Sequence, residues 1–142
     1  MDSWSDIFAP LVGRIFMGGF FLWNGIEAAL NFPATTVLFV TAGMPGPIGL
    51  ALVAVAVEVV CGILLVVGSF TKYSAILLSC FVFLTALLHP GTSNAISQTL
   101  FLQDMAIIGG LFYISAYGSG AWSTDWKYVM TKKAAPKRHK KR

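Results

Sequence analysis

Four long apolar segments dominate the pattern of hydrophobic and polar positions along the chain. They run from about residue 7 to 30, 48 to 68, 73 to 89 and 100 to 117. A helix needs about 20 mostly apolar residues to cross the roughly 30 Å hydrocarbon core of a bilayer, and each segment approaches that length. Strands of a membrane barrel would be about ten residues long, with alternating polarity. The pattern therefore predicts four transmembrane helices.

Turn-forming residues separate these segments. Proline, glycine and asparagine are concentrated at 31–33, 43–47 and 90–94, and the short turn at 69–72 separates the second segment from the third. Between the first two segments, residues 35–42 form an apolar run that is too short to span a bilayer. We expect this run to lie in the membrane interface or to fold back onto the bundle.

The composition argues against a water-soluble fold. Only 11% of the 142 residues are charged and 56% are hydrophobic, whereas about a quarter of the residues of a soluble domain are charged. So few charges could not cover a soluble surface of this size. The expected fold class is all-α, an integral membrane four-helix bundle. Residues 1–126 form the four-span membrane domain, and residues 127–142 form a basic cytoplasmic tail.

The distribution of lysine and arginine predicts the orientation. Eight of the ten basic residues fall between Lys127 and Arg142, and only Arg14 and Lys72 precede them, against six acidic residues. With four spans, both termini and the 69–72 turn share one side, and the opposite loops at 31–47 and 90–99 carry no charge. The positive-inside rule then places both termini in the cytoplasm. We expect a multi-pass protein of the plasma membrane.

The basic tail has two interpretations. Its side chains would contact anionic lipid headgroups, each contributing about 1 kcal/mol, or the tail serves only as a topology determinant and a solubilising segment. The residues concerned are Lys132, Lys133, Lys137, Arg138, Lys140, Lys141 and Arg142. A basic run can also bind nucleic acid, but this one follows directly on a membrane-embedded body. The predicted partners are therefore membrane lipids, and no nucleic acid is expected.

Ionisable residues inside the predicted spans are the candidate functional residues, because an unpaired charge at a helix centre costs at least about 2.5–3.5 kcal/mol. Arg14 on the first helix and Glu58 on the second lie at depths that an arginine side chain can bridge. We expect them to pair as an intramembrane polar core. Small residues share the helix faces of these two side chains and allow close packing: Gly18, Gly25, Ala51, Ala54 and Gly62.

A second polar group is predicted at the outer end of the bundle. Asn24 and Glu27 lie near the end of the first helix, His89 ends the third and Asp104 starts the fourth. His89 could relay protons or contact a quinone, since histidine titrates near neutral pH, or it could cap its helix at the interface. Asp104 could equally stabilise the N-terminus of its helix, where negative charge is favoured. Glu27 could simply reach water.

The chain carries no self-contained catalytic or metal-binding motif. No CxxC or Cys/His metal spacing occurs, and no metal site is expected. Cys61 and Cys80 fall within apolar segments at similar depths, so a contact between them is possible, although buried cysteines are commonly packing residues. No cofactor is expected in the chain itself.

Several motifs, in this order, resemble the DoxX family. Over residues 14–25, the first helix has an arginine, then an apolar stretch, then an aromatic-x-Gly motif. The second helix contains the motif Glu58-x-x-x-Gly62. The remaining matches are Gly43–Pro47, Leu64, Leu65, Gly68, Thr71, Lys72, His89, Ala106–Leu111 and Gly118–Asp125. The chain departs from the family at Asn24, where many members have His, at Ala28, where many have Lys, and at Asp104, where Asn is usual.

The resemblance implies a four-helix membrane bundle and a function linked to electron transfer. Some members are subunits of thiosulfate:quinone oxidoreductase or membrane partners of redox proteins. The expected function is thus a membrane subunit of a redox or quinone-linked complex, with a quinone as the possible ligand and other membrane or redox subunits as partners. One alternative is a non-catalytic accessory or scaffold subunit that packs against a larger membrane complex. A small-solute transporter is a further alternative, but four spans leave little room for a path.

Overall fold

The computed structural model describes residues 4–87, 95–120 and 122–134. Within these ranges the chain is all-α, as predicted, and forms no strand. Its six helices are α1 Trp4–Leu30, α2 Phe32–Thr41, α3 Pro47–Val67, α4 Thr71–Ala86, α5 Ala95–Tyr117 and α6 Thr124–Ala134. The four predicted spans correspond to α1, α3, α4 and α5. The predicted tail begins inside α6, at Lys127 in the first turn of that helix.

One core cluster joins α1, α3, α4 and α5. It contains Phe21 from α1, Cys61 and Leu65 from α3, three residues from α4 and two from α5; these last five are Ala75, Leu78, Val82, Leu111 and Ile114. Helix α1 packs on α3, α3 on α4, α4 on α5, and α5 back on α1. The four long helices therefore surround a single interior.

Glycines bring α1 and α3 into close contact. A Cβ atom added to Gly18 would lie 2.8 Å from the carbonyl oxygen of Gly62, and one added to Gly25 would lie 3.0 Å from Cβ of Glu58. Residue numbers rise along α1 as they fall along α3 at these contacts, so the two helices are antiparallel. Close backbone approach through small residues is typical of helix pairs in membranes, where burial of apolar surface cannot drive association.

The large apolar side chains of this fold point outward. Phe16, Trp23 and Leu30 of α1 are each at least 74% exposed, whereas buried positions are often small, such as Ala51 and Ala75. Among the described residues, two helices are long and apolar enough to cross a membrane by length and composition, Pro47–Val67 and Gln98–Tyr117, and most residues of their apolar stretches are not buried. A core helix of a soluble protein would be mostly buried. An apolar exterior of this extent requires an apolar medium.

Helix α2 is the short apolar run between the first two predicted spans. Its ten residues begin at Phe32, and Pro33 lies in the first turn, where the missing N–H costs nothing. It contacts α3 and α1 but buries none of its own residues. The short run therefore folds back along the outside of α1 and α3, one of the two arrangements expected for it.

The turn between α3 and α4 has an unusual backbone. Gly68 ends α3 with φ of 75°, and the N–H of Ser69 donates to the carbonyl of Leu64 at 3.0 Å. Phe70 follows with φ of 50°, the only positive φ at a non-glycine residue in the described part of the chain. A bulky residue adopts this conformation only where surrounding contacts hold it. These contacts come from the start of α6, as described below.

Candidate functional site

Five chain segments meet at one end of the bundle, which we call the Arg14 end. They are the first turns of α1, the end of α3, the start of α4, the end of α5 and the 118–123 connection that leads into α6. Arg14 is 3% exposed and lies among these segments. A buried guanidinium requires hydrogen-bond acceptors, and its acceptors come from the 118–123 connection.

Arg14 binds backbone carbonyls rather than a carboxylate. Its Nη1 donates to the carbonyl of Ser119 at 3.0 Å, and its Nη2 donates to the carbonyl of Trp122. The same guanidinium lies against Gly68, where a Cβ atom would clash with Nη1. The Asp125 carboxylate adds an electrostatic attraction. Arg14 therefore joins α1 to the chain that leaves α5.

Asp125 holds the strained turn before α4. Its two carboxylate oxygens accept the backbone N–H groups of Phe70 and Thr71 at 2.9 and 3.0 Å. These donors lie at the start of α4, where no helical partner exists for them and where negative charge is favoured. The backbone N–H of Asp125 also donates to the carbonyl of Gly68 at 3.1 Å. Asp125 thus caps α4 from a helix 54 residues further along the chain.

We expect Asp125→Ala to lower the free energy of unfolding by about 1–2 kcal/mol, the usual cost of losing a helix cap. Asp125→Asn should have a smaller effect, because its amide oxygen still accepts one of the two N–H groups. Unfolding of the full-length protein by titration with a denaturing detergent measures both values. Equal stability of the alanine variant and the parent would contradict the capping role.

Glu58 lies far from this end of the bundle. Its Cβ is close to Gly25, which follows Arg14 by eleven residues and therefore lies about 16 Å further along α1. The structure does not bring Arg14 and Glu58 together, because the antiparallel register of α1 and α3 sets Arg14 beside Gly68. Glu58 is half-buried and forms no hydrogen bond with the described residues.

The outer-end residues are brought together only in part. Asn24 and Glu27 line a cavity of about 320 Å³ between α1 and α2, together with Asn31 and Thr35. The Asn24 side chain donates to the carbonyl of Phe20 at 3.0 Å, and Glu27 is exposed. His89 lies outside the described residues.

Asp104 does not start its helix. Helix α5 begins at Ala95, so Asp104 is its tenth residue, half-buried in the middle of the helix. A side chain there is too far from the first turn to interact with the N-terminal dipole, which acts within about one turn. The alternative that Asp104 caps the helix is therefore wrong.

A second cavity lies at the Arg14 end, between the start of α4, the end of α5 and α6. Its volume is about 380 Å³. Aromatic side chains of Phe70, Tyr73, Tyr117 and Trp126 line it, together with the lysine Lys72. The cavity combines an apolar wall with one cation.

Comparison with known proteins identifies the family. A family model described as DoxX matches residues 9–91, more than half of the chain. The chain belongs to the DoxX family. The match covers α1 to α4, including Arg14, Glu58 and the turn that Asp125 caps. The resemblance inferred from the motifs is confirmed.

Two DoxX-like relatives are similar over most of their length. The inner membrane protein YphA of Escherichia coli strain K12 is 29% identical over 121 residues, which cover 81% of this chain and 86% of the relative. The inner membrane protein YqjF of the same strain is 29% identical over 116 residues, which cover 81% and 88%. No solved structure matches the chain. With its apolar exterior, the chain is a membrane protein of the DoxX family.

The remaining residues considered in the sequence are the two cysteines, the potential metal ligands and the basic residues of the tail. Cys61 is buried and Cys80 is exposed, and both are free thiols. The described residues bring together no group of three or more His, Cys, Asp or Glu side chains that could hold a metal ion. Lys132 and Lys133 belong to the end of α6, and Lys137, Arg138, Lys140, Lys141 and Arg142 lie outside the described residues.

Sequence reasoning missed two features of this DoxX protein. One is Asp125, and the other is the cavity beside Lys72. Ser123 caps α6 by accepting the N–H of Trp126 at 3.0 Å, and the run Ser123-Thr-Asp is a recognisable helix start. That signal could have located α6. It could not have shown that Asp125 reaches α4, because nothing local to Asp125 encodes a distant partner.

Proposed function

We propose that this protein is a four-span subunit of the plasma membrane with both termini in the cytoplasm. Helices α1, α3 and α5 contain 27, 21 and 23 residues, or about 40, 31 and 35 Å, enough to cross the hydrocarbon core. Helix α4 has 16 residues, about 24 Å, and residues 88–94 follow it. Lys72 and the lysines of α6 share the Arg14 end, which the positive-inside rule assigns to the cytoplasm.

We further propose that this subunit serves a quinone-linked redox complex, and Glu58 is the observation that carries the proposal. An ionisable side chain within a span is a functional candidate because its burial is costly. Arg14 hydrogen-bonds elsewhere, so Glu58 has no cation to neutralise it among the described residues. Its carboxyl is therefore available to a ligand.

The surroundings of Glu58 suit a lipophilic ligand that arrives through the bilayer. Gly25 offers only backbone opposite the Cβ of Glu58, and the Glu58 side chain as a whole is only half-buried. Val55, one turn before Glu58 on the same face of α3, is also only half-buried. A quinone headgroup can enter laterally there without crossing a polar barrier.

We assign two roles to Glu58: its carboxyl hydrogen-bonds to the quinone ring and exchanges a proton with it. Oxidation of a quinol releases two protons and two electrons. Glu58 would accept one of the protons from a ring hydroxyl, the second proton would pass to water at the membrane surface, and both electrons would pass to a redox subunit that binds this chain. A positioned carboxyl within hydrogen-bond reach is suited to such a transfer.

Binding of a short-chain ubiquinone analogue to the full-length protein in nanodiscs tests this function. We expect Glu58→Ala to weaken binding about tenfold, as for loss of one hydrogen bond in an apolar site. Glu58→Gln should retain most of the binding, because an amide still hydrogen-bonds, but should lose quinol turnover in the assembled complex. Gln103→Ala, which removes an exposed polar side chain from α5, is the matched control.

Equal binding by the parent and Glu58→Ala would overturn the quinone assignment. If the partner complex also remained fully active with Glu58→Ala, the protein would be a non-catalytic accessory subunit. Copurification of one stoichiometric partner in mild detergent would then identify the complex.

A further inference from the structure

The cavity beside Lys72 has no role in the proposed quinone chemistry. It lies at the Arg14 end, whereas Glu58 lies about 16 Å away along α1. Its volume of about 380 Å³ falls within the range of small-ligand sites. Such sites are mostly apolar with a few placed polar groups, and this cavity fits that description. Its ligand can be inferred from those polar groups.

Lys72 provides the positive charge of the cavity. Its side chain packs over Gly118, where an added Cβ atom would lie 3.5 Å from Cε of Lys72. Its ammonium group forms no ion pair with the described residues. Asp125 lines the same cavity, but its two oxygens already accept the N–H groups of Phe70 and Thr71. Within the described part of the chain, the Lys72 ammonium therefore keeps its capacity to bind an external anion.

Two tyrosine hydroxyls add hydrogen-bond donors beside this lysine. Tyr73 and Tyr117 are 75% and 72% exposed, and neither hydroxyl is hydrogen-bonded to a described residue. The Tyr117 ring is held against Tyr113, with ring centroids 4.4 Å apart. The lysine and the two phenols can all donate hydrogen bonds to an acceptor-rich group such as a phosphate.

The cavity lies where a bilayer presents phosphates. Lys72 is in the first turn of α4, and the exposed face of that helix continues into the apolar region through Ile76, Leu77 and Leu84. Tyrosine and tryptophan are enriched at the headgroup level of membranes, and Trp126 completes the aromatic wall of the cavity. A molecule with a phosphate and an acyl chain matches this arrangement, in which the cavity with Lys72 adjoins the exposed apolar face of α4.

We propose that this cavity binds the headgroup of an anionic phospholipid. The Lys72 ammonium binds the phosphate, the hydroxyls of Tyr73 and Tyr117 donate to its oxygens, and one acyl chain lies along the exposed face of α4. The site is independent of the proposed quinone function.

Lipid-dependent stability of the full-length protein in neutral detergent tests the site. We expect phosphatidylglycerol to raise the melting temperature of the parent more than phosphatidylcholine does. Lys72→Gln should weaken phosphatidylglycerol binding at least about fivefold, and replacement of both tyrosines by phenylalanine should weaken it further. Lys127→Gln, which removes an exposed charge from α6 outside the cavity, should leave the affinity nearly unchanged. Native mass spectrometry counts the lipids that remain bound.

Three results would overturn the proposal. Equal responses to the two lipids would show that the headgroup charge is not recognised. Equal losses for Lys72→Gln and Lys127→Gln would indicate diffuse attraction by the basic end rather than a site. A response to glycerol 1-phosphate as large as that to phosphatidylglycerol would assign the cavity to a soluble phosphate. Glu58→Gln should keep the lipid response, so failure of the quinone proposal would remain distinguishable.

Discussion

Arg14→Ala should destabilise the folded protein more than any other single substitution considered. We expect a loss of about 3–5 kcal/mol in the free energy of unfolding, because the buried carbonyl of Ser119 and the partly buried carbonyl of Trp122 would lose their charged donor. The Nε of Arg14 is itself buried without a hydrogen-bond partner in the described structure. Removing Arg14 also removes the cost of burying this atom, so the loss should be smaller than the sum of its two hydrogen bonds. Unfolding by denaturing detergent measures it.

Arg14→Lys separates the charge of this side chain from its geometry. A lysine keeps the positive charge but cannot donate to two carbonyls from one planar group. We expect this variant to recover part of the stability and to lie between alanine and the parent. If lysine and alanine are equally destabilising, the guanidinium geometry accounts for the whole effect. If both match the parent, Arg14 does not hold the 118–123 connection.

Gly18→Ala is expected to have the second-largest effect, through the contact of α1 with α3. The new Cβ would lie 2.8 Å from the carbonyl oxygen of Gly62 and 3.0 Å from the backbone nitrogen of Val66. These are backbone atoms that cannot move away without separating the helices. Overpacking of this kind costs about 1–3 kcal/mol, and Gly18→Leu should cost more. The same unfolding titration measures both variants.

Gly19→Ala is the matched control for this contact. It is adjacent in the same helix, and a Cβ atom there would meet nothing within 4 Å. Alanine is a better helix former than glycine by about 0.5–1 kcal/mol, so this variant should be as stable as the parent or slightly more stable. If alanine at 18 and alanine at 19 are tolerated equally well, the close approach of α1 and α3 is not the stabilising contact that we describe.

The separation of Arg14 from Glu58 changes the roles of both residues. Arg14 forms part of the packing at the cytoplasmic end that we propose, where its hydrogen bonds go to the chain backbone. Glu58, without that partner, is available for ligand chemistry. A single ion pair would have satisfied both side chains and would have offered no functional group to the bilayer. The functional proposal therefore depends on the register of two helices.

The register itself could not be read from the sequence. The prediction that Gly18 and Gly25 share a face with Arg14 agrees with their contacts to α3. The depths of Arg14 and Glu58 in the membrane, however, were estimated separately along each helix. Such estimates do not include the axial shift of α1 relative to α3. That shift depends on which glycines meet. The meeting of Gly18 with Gly62 places Glu58 beside Gly25 and Gly68 beside Arg14.

The partners of Arg14 were unpredictable for a different reason. They are backbone carbonyls 105 and 108 residues further along the chain. Every residue has a backbone carbonyl, so no residue type marks the two that a buried guanidinium will find. The same holds for the N–H groups that Asp125 binds. A charged residue in an apolar segment indicates that a partner is needed, but the sequence does not indicate which backbone groups will be that partner.

The sequence by itself determined the all-α class, the family and the apolar medium, because these follow from composition and from the length and order of apolar segments. Such properties depend on many residues together, so a wrong interpretation of any one residue does not change the prediction. The tertiary structure decided which polar groups meet, where the chain leaves a cavity and which carboxyl has no partner in the described part of the chain. Those outcomes depend on contacts of a few ångströms between distant segments, and helix register and turn geometry set them.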